Sequence, residues 1–211
     1  HNLQERITLL QIQPDGNAEA VIRTKYSGLQ QEYASYLSEM PEQKRRDVLY
    51  ENIGIKNFEL IDNQYVRQKK SLPVVQETLK LRLPAYAGKS GKRLFVTPNV
   101  LAQWKRIPPD DTLRLRDIQF TYFPYMDVDT VQIQVPQGYS IEHLPEAVLI
   151  ESAFGAYEAG FVNSNNKIIY YRCLKINNKI QPKEQYHELV GFCKKINKAD
   201  ARRLVLVQQD P

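Results

Sequence analysis

Residues 136–157, PQGYSIEHLPEAVLIESAFGAY, decide the fold class. They read as three short β segments separated by two turns. Just ahead of them Val131, Ile133 and Val135 alternate with Thr130, Gln132 and Gln134, the period of two that marks a half-buried strand. Pro136-Gln137-Gly138 ends that strand, because proline has no N–H for a ladder and glycine accepts a positive φ. Phe154-Gly155-Ala156-Tyr157 makes the next reversal into a further strand. No reacting group sits in the stretch, so it specifies an architecture and no chemistry.

The rest of the chain extends the same pattern. Ile7–Gln13 and Ala18–Tyr26 read as strands joined by the turn Pro14-Asp15-Gly16-Asn17, where proline presets φ and Asp-Gly tolerates left-handed values. After Gly28 the apolar positions Leu29, Tyr33, Tyr36, Leu37 and Met40 fall on one helical face. Pro41 restarts the helix, Val48, Leu49 and Ile53 continue an apolar side, and Gly54 is a plausible stop. Strands follow around Phe58–Ile61, Val74–Leu83 and Lys92–Thr97, with a turn region from Pro84 to Gly91. In the second half the predicted strands are Ile118–Phe123, Thr130–Val135, Ala147–Glu151, Tyr157–Val162 and Lys167–Ile176, with a polar turn at Asn163–Asn166. A helix opened by Pro182 carries the stripe Tyr186, Leu189, Val190, Cys193 and Ile196, and Leu204–Val207 closes as a buried strand. The fold class is therefore mainly β, α+β by content: an antiparallel β-sandwich with a helical excursion after the first hairpin and a helix before the last strand. Residues 1–211 read as one domain. Arg106–Thr112, RIPPDDT, suits no regular element and marks a possible subdivision.

Composition narrows the function classes. The 211 residues are 42% hydrophobic and 25% charged, ordinary for a soluble globular chain. Thirteen tyrosines against seven phenylalanines and one tryptophan suit strands wet on one side. A formal charge of +5 is too modest for a nucleic-acid signature. The basic groups Lys44-Arg45-Arg46, Lys69-Lys70, Lys194-Lys195 and Arg202-Arg203 are dispersed among acids and read as solvated. No apolar run reaches the ~20 residues of a membrane span. The start at His1 reads as a processed or excised piece of something longer.

Three further sequence patterns resemble a known family: PQGYSIEHLPEAVLIESAFGAY, the basic-aromatic strand KIIYYRCLKI and the ending KADARRLVLV. Together they resemble the C-terminal β domain of bacterial transglutaminase-like proteins. In those chains an N-terminal β-sandwich and a papain-like transglutaminase core precede such a domain. ITLLQIQPDGNAEAVI, the helical segment from Leu29 and GKRLFVTPNVL fit its opening portion. The resemblance implies a non-catalytic accessory domain of a periplasmic or cell-surface protein, with the upstream core of the same chain as its partner. The Cys, His and Asp of that core would lie upstream of His1, so no catalytic residue carries over.

Candidate sites are few. Cys173 with His187 or His143 is the one pairing to test for thiol catalysis, yet both Cys173 and Cys193 fall on apolar patterns away from helix N-termini. Two buried free thiols are the favoured reading, a disulfide the other. Asp127 and Asp129 resemble half a calcium loop without its glycine and closing glutamate, and read as a polar turn feeding the next strand. No metal or cofactor is expected. Trp104, Tyr122, Tyr125 and Tyr139 are the candidate contact residues for a glycan or a protein partner, because aromatic planes stack on the apolar faces of sugars. A carbohydrate- or cell-envelope-binding module is the rival to the accessory domain.

Overall fold

The computed structural model describes residues 2–68, 72–110, 114–164 and 167–209. Two sheets and three α-helices are present among them. The first sheet has eight strands in the order β3 (Glu59–Gln68), β4 (Val74–Leu83), β2 (Ala18–Ser27), β1 (Leu3–Ile12), β7 (Tyr125–Gln134), β11 (Lys167–Ile176), β10 (Gly155–Ser164) and β9 (Val148–Ser152). The second has four, in the order β5 (Gly88–Ser90), β6 (Arg93–Val96), β12 (Leu204–Gln208) and β8 (Tyr139–His143). The named pairings are antiparallel except β1 with β7, which run parallel from Leu3 beside Met126 to Gln11 beside Gln134. That pair is a seam across which the first four strands and the later ones share one sheet. The helices are α1 (Gln31–Glu39), α2 (Glu42–Asn52) and α3 (Tyr186–Asp200).

The alternation on β1 shows why the sheet has an inside. Thr8, Leu10 and Ile12 are buried while Ile7, Leu9 and Gln11 are exposed. The even residues of β11 from Ile168 to Ile176 are buried in the same way. Apart from Thr8 and Arg172, these inner residues form one core with Leu94, Val96, Leu204 and Leu206 of the second sheet and with Leu189, Val190, Cys193 and Ile196 of α3. The first hairpin helps lock the layers together. Gly16 holds φ +92, and a Cβ there would lie 2.6 Å from the Ala87 carbonyl, so only glycine fits. Its own carbonyl accepts the Ala87 N–H at 2.9 Å.

The inner face carries a row of polar side chains in register. Tyr65 lies beside Glu77, Glu77 beside Thr24, Thr24 beside Arg6, Arg6 beside Asp129 and Asp129 beside Arg172. Glu77 accepts hydrogen bonds from Tyr26 (2.9 Å) and Tyr65 (2.5 Å). Arg6 donates to Thr24 and Asp129, and Arg172 donates to the other Asp129 oxygen at 3.0 Å. Arg172 also donates through Nε to Asp200, the last residue of α3, at 2.9 Å. Burial alone would lower the Arg172 pKa, but the carboxylates of Asp200 and Asp129 outweigh it and hold the guanidinium charged. A charge row of alternating sign thus ties six strands to one helix. It survives burial because each charge has an opposite neighbour and further hydrogen bonds.

Several expectations need correction. Asp127 and Asp129 do not form a surface turn. They belong to β7, which begins at Tyr125, and Asp129 is buried on the inner face. Arg6 and Arg172, not apolar groups, flank Asp129, which hides the period of the strand. Ile118–Phe123 is not a strand: only Ile118 pairs, with Gln181. The helical face after Gly28 is also different. Ala34 and Leu37 are buried, while Tyr33 and Tyr36 are 53% and 59% exposed. Arg45 and Arg46 are not merely solvated. Arg45 donates to Asn63 and Arg46 to the Leu60 carbonyl, both at 2.6 Å, fastening α2 to β3. Lys69 and Lys70 lie outside the described residues, as do Asn165 and Asn166 of the expected turn and Asp111 and Thr112 of the possible boundary. No helix among the described residues is long and apolar enough to cross a membrane.

Candidate aromatic–arginine cleft

A cleft of about 570 Å³ opens between the segments 104–109 and 114–121, the start of β7 and the first turn of α3. Trp104 is fixed there by three hydrogen bonds. Its backbone N–H donates to Asp200 (2.8 Å), its carbonyl accepts from Asn197 (2.6 Å), and its indole N–H donates to the Arg106 carbonyl (2.6 Å). The charge row therefore ends at the cleft. Asp200, held by Arg172, also accepts from Asn99 and Tyr157. Ile118 is pinned by reciprocal backbone hydrogen bonds with Gln181 (2.8 and 3.0 Å), which leaves Gln119, Phe120 and Thr121 along the cleft wall.

The aromatic groups do not form a flat platform. Trp104 and Phe120 have centroids 6.0 Å apart and planes tilted by 47°, and Phe120 meets Phe154 edge-on at 6.2 Å. Two cations complete the lining, Arg106 and Arg114. The Arg114 guanidinium lies over the Tyr186 ring, 4.5 Å from its centroid, an arrangement that orients it and attracts it electrostatically. Arg114 Nε is buried without a hydrogen-bond partner. Burial, with Asp127 second, raises the Tyr125 phenol, so it stays a neutral hydroxyl. Among the described residues lining the cleft there is no carboxylate, imidazole or thiol. Such a lining can hold a ligand but offers no general acid–base pair near neutral pH.

Two of the four expected contact residues, Trp104 and Tyr125, line this cleft together. Tyr122 stands close to it in sequence and is 76% exposed, with its carbonyl accepting from Asn178. Tyr139 is elsewhere: 7% exposed on β8, its hydroxyl donates to the Pro14 carbonyl at 3.3 Å. It supports the seat of the first hairpin and offers no contact surface. Phe120, Arg114 and Tyr186 were not among the expected contacts. Tyr186 did appear in the sequence, as part of the α3 stripe, but the arginine above it had no local signal.

Neither thiol is among the described residues lining the cleft, although Cys193 lies directly behind Trp104 and Tyr125. Cys173 is half-buried on the outer face of the large sheet, and burial raises its pKa, with Glu158 second. Cys193 is buried on α3, and burial pushes it up to about 11. Both are free. His187 faces Asp110 at 3.3 Å on the exposed side of α3, not a cysteine. Asp127 lies two residues beyond Tyr125, on the inner face of β7. Burial and then Asp129 push it up to about 6, and one of its oxygens has no partner.

Residues 92–206 match the model of the family DUF3858, described as a domain of unknown function that has a solved structure. The match runs from β6 into β12, on the far side of the parallel seam from the first hairpin. No curated protein and no solved structure matches the chain significantly.

Proposed function

The chain belongs to the DUF3858 family, and from that premise we propose that it is a non-catalytic interaction domain. Its partner would be an extracytoplasmic, transglutaminase-like enzyme of bacterial type. The observation that carries the reading is the cleft: aromatic rings and two guanidinium groups converge there with no acid, base or nucleophile among the described lining residues. Such a surface gains free energy by contact and offers nothing to split or move a bond. The link to transglutaminase-like proteins rests on sequence resemblance. PQGYSIEHLPEAVLIESAFGAY, KIIYYRCLKI and nearly all of KADARRLVLV fall inside the span matched by the family, while ITLLQIQPDGNAEAVI falls before it.

The test is binding of the 211-residue chain to a separately produced transglutaminase-like core, measured by calorimetry. A complex weakened by Trp104→Ala supports the reading. Absence of a complex, together with a hydrolase or acyl-transfer activity of the chain alone that Cys173→Ser abolishes, overturns it. A carbohydrate- or cell-envelope-binding module is the second reading, favoured by the exposure of Tyr122 and Phe123. The tilt between Trp104 and Phe120 weighs against it, since a sugar ring stacks on a flat aromatic face.

A further inference from the structure

We infer that the aromatic–arginine cleft receives a polypeptide segment in which carboxylate side chains stand next to apolar ones. The inference rests on the reading of this cleft as the interaction site and adds the chemistry of what enters it. Charge is the first argument. Arg106 and Arg114 line the cleft without a described acid beside them in the lining. Asp110 and Asp117 on the flanking segment are engaged, by His187 and by the Lys183 backbone N–H. The guanidinium of Arg114, steadied by Tyr186, presents the planar donor set that carboxylates match.

The second argument separates a peptide from a sugar. The tilt between Trp104 and Phe120 leaves an angular apolar socket, which fits a branched or aromatic side chain better than a flat ring. The third is the wall. Gln119 and Phe120 make no backbone hydrogen bond to another described residue, so their N–H and C=O groups are open to an incoming main chain. A volume of about 570 Å³ is of the size that encloses a small ligand, here a few residues of peptide.

The experiment uses the full chain and two fluorescent, terminally blocked peptides, Asp-Leu-Asp-Leu-Asp-Leu and its counterpart with Lys for Asp. The acidic peptide is expected to bind at micromolar concentration and the basic one at least about tenfold more weakly, the factor that a single lost charge-assisted hydrogen bond supplies. Arg114→Glu and Arg106→Glu should each lower affinity for the acidic peptide by at least about tenfold. Arg23→Glu, on the exposed face of β2 and equal in net charge, should leave it unchanged. Unaltered thermal unfolding of the variants excludes loss of fold. Equal binding of both peptides, equal loss with Arg23→Glu, or binding of oligogalacturonate in preference to both peptides overturns the inference. A core that binds while the acidic peptide does not leaves the interaction reading standing and removes this one. A peptide that binds while the core does not removes the transglutaminase partnership alone.

Discussion

Replacing Arg172 by methionine should be among the most damaging single changes in this protein. The side chain is almost wholly buried and makes three charged contacts: to Asp200 at 2.9 and 3.3 Å and to Asp129 at 3.0 Å. Methionine fills much of the volume but leaves two buried carboxylates short of a cation. Breaking a buried pair in this way costs roughly 3–5 kcal/mol, which for a domain of this size lowers Tm by roughly 6–20 °C. Asp129 keeps Arg6 and Asp200 keeps Asn99, Tyr157 and the Trp104 N–H, so the lower half of the range is expected. Urea unfolding at pH 7.5 measures this. Arg82→Met, at the exposed pair with Glu59 (2.6 Å), is the comparison and should cost under about 1 kcal/mol. A loss for Arg172→Met no larger than that for Arg82→Met would refute the reasoning.

Asp127→Asn should act in the opposite direction. Burial and Asp129 hold the Asp127 carboxyl at about 6 in the folded state, so wild type loses stability as pH rises from about 4 through 6, and the amide removes that loss. Urea titrations should show the variant up to about 3 kcal/mol more stable at pH 8 and equal at pH 4. Gly155→Ala should cost about 3 kcal/mol, because its Cβ would fall 2.1 Å from the Lys175 carbonyl. Gly88→Ala, with nothing within 4 Å, should change the urea midpoint little. With a disulfide-exchange dye at pH 7, the native chain should release at most the Cys173 thiol, slowly. Cys193, pushed up to about 11 by burial, should respond only once the chain is unfolded.

What the sequence revealed follows from what its side chains are. Lys167–Ile176 alternates without a break and is β11 from end to end, because every inner position but Arg172 is apolar or tyrosine. The α3 stripe was legible for the same reason, and so were the three segments within 136–157, which became β8, β9 and the start of β10. The first half of β7 was not legible. Its inner positions Tyr125, Asp127 and Asp129 look like a polar turn until Asp129 is placed between Arg6 and Arg172. Tyr33 and Tyr36 misled in the other direction, since amphipathic rings at helical spacing can stand in solvent as readily as in a core. The cleft was half legible. Trp104 and Tyr125 announced themselves as aromatic, but Arg114 over Tyr186 joins two segments that no local pattern connects. Only the tertiary fold brings them together.

The parallel seam between β1 and β7 has a consequence for how the chain is born. Residues 3–11 find their second neighbour only in residues 126–134, so during synthesis from the N-terminus the first hairpin emerges with one flank bare. It stays so until residues 126–134 have been made. Contacts this distant along the chain slow folding, and an unfilled flank is where stray strands attach. The Lys25–Glu5 ion pair and the exposed Arg23 put charge on that nascent ribbon, which discourages unwanted pairing until the proper strand arrives.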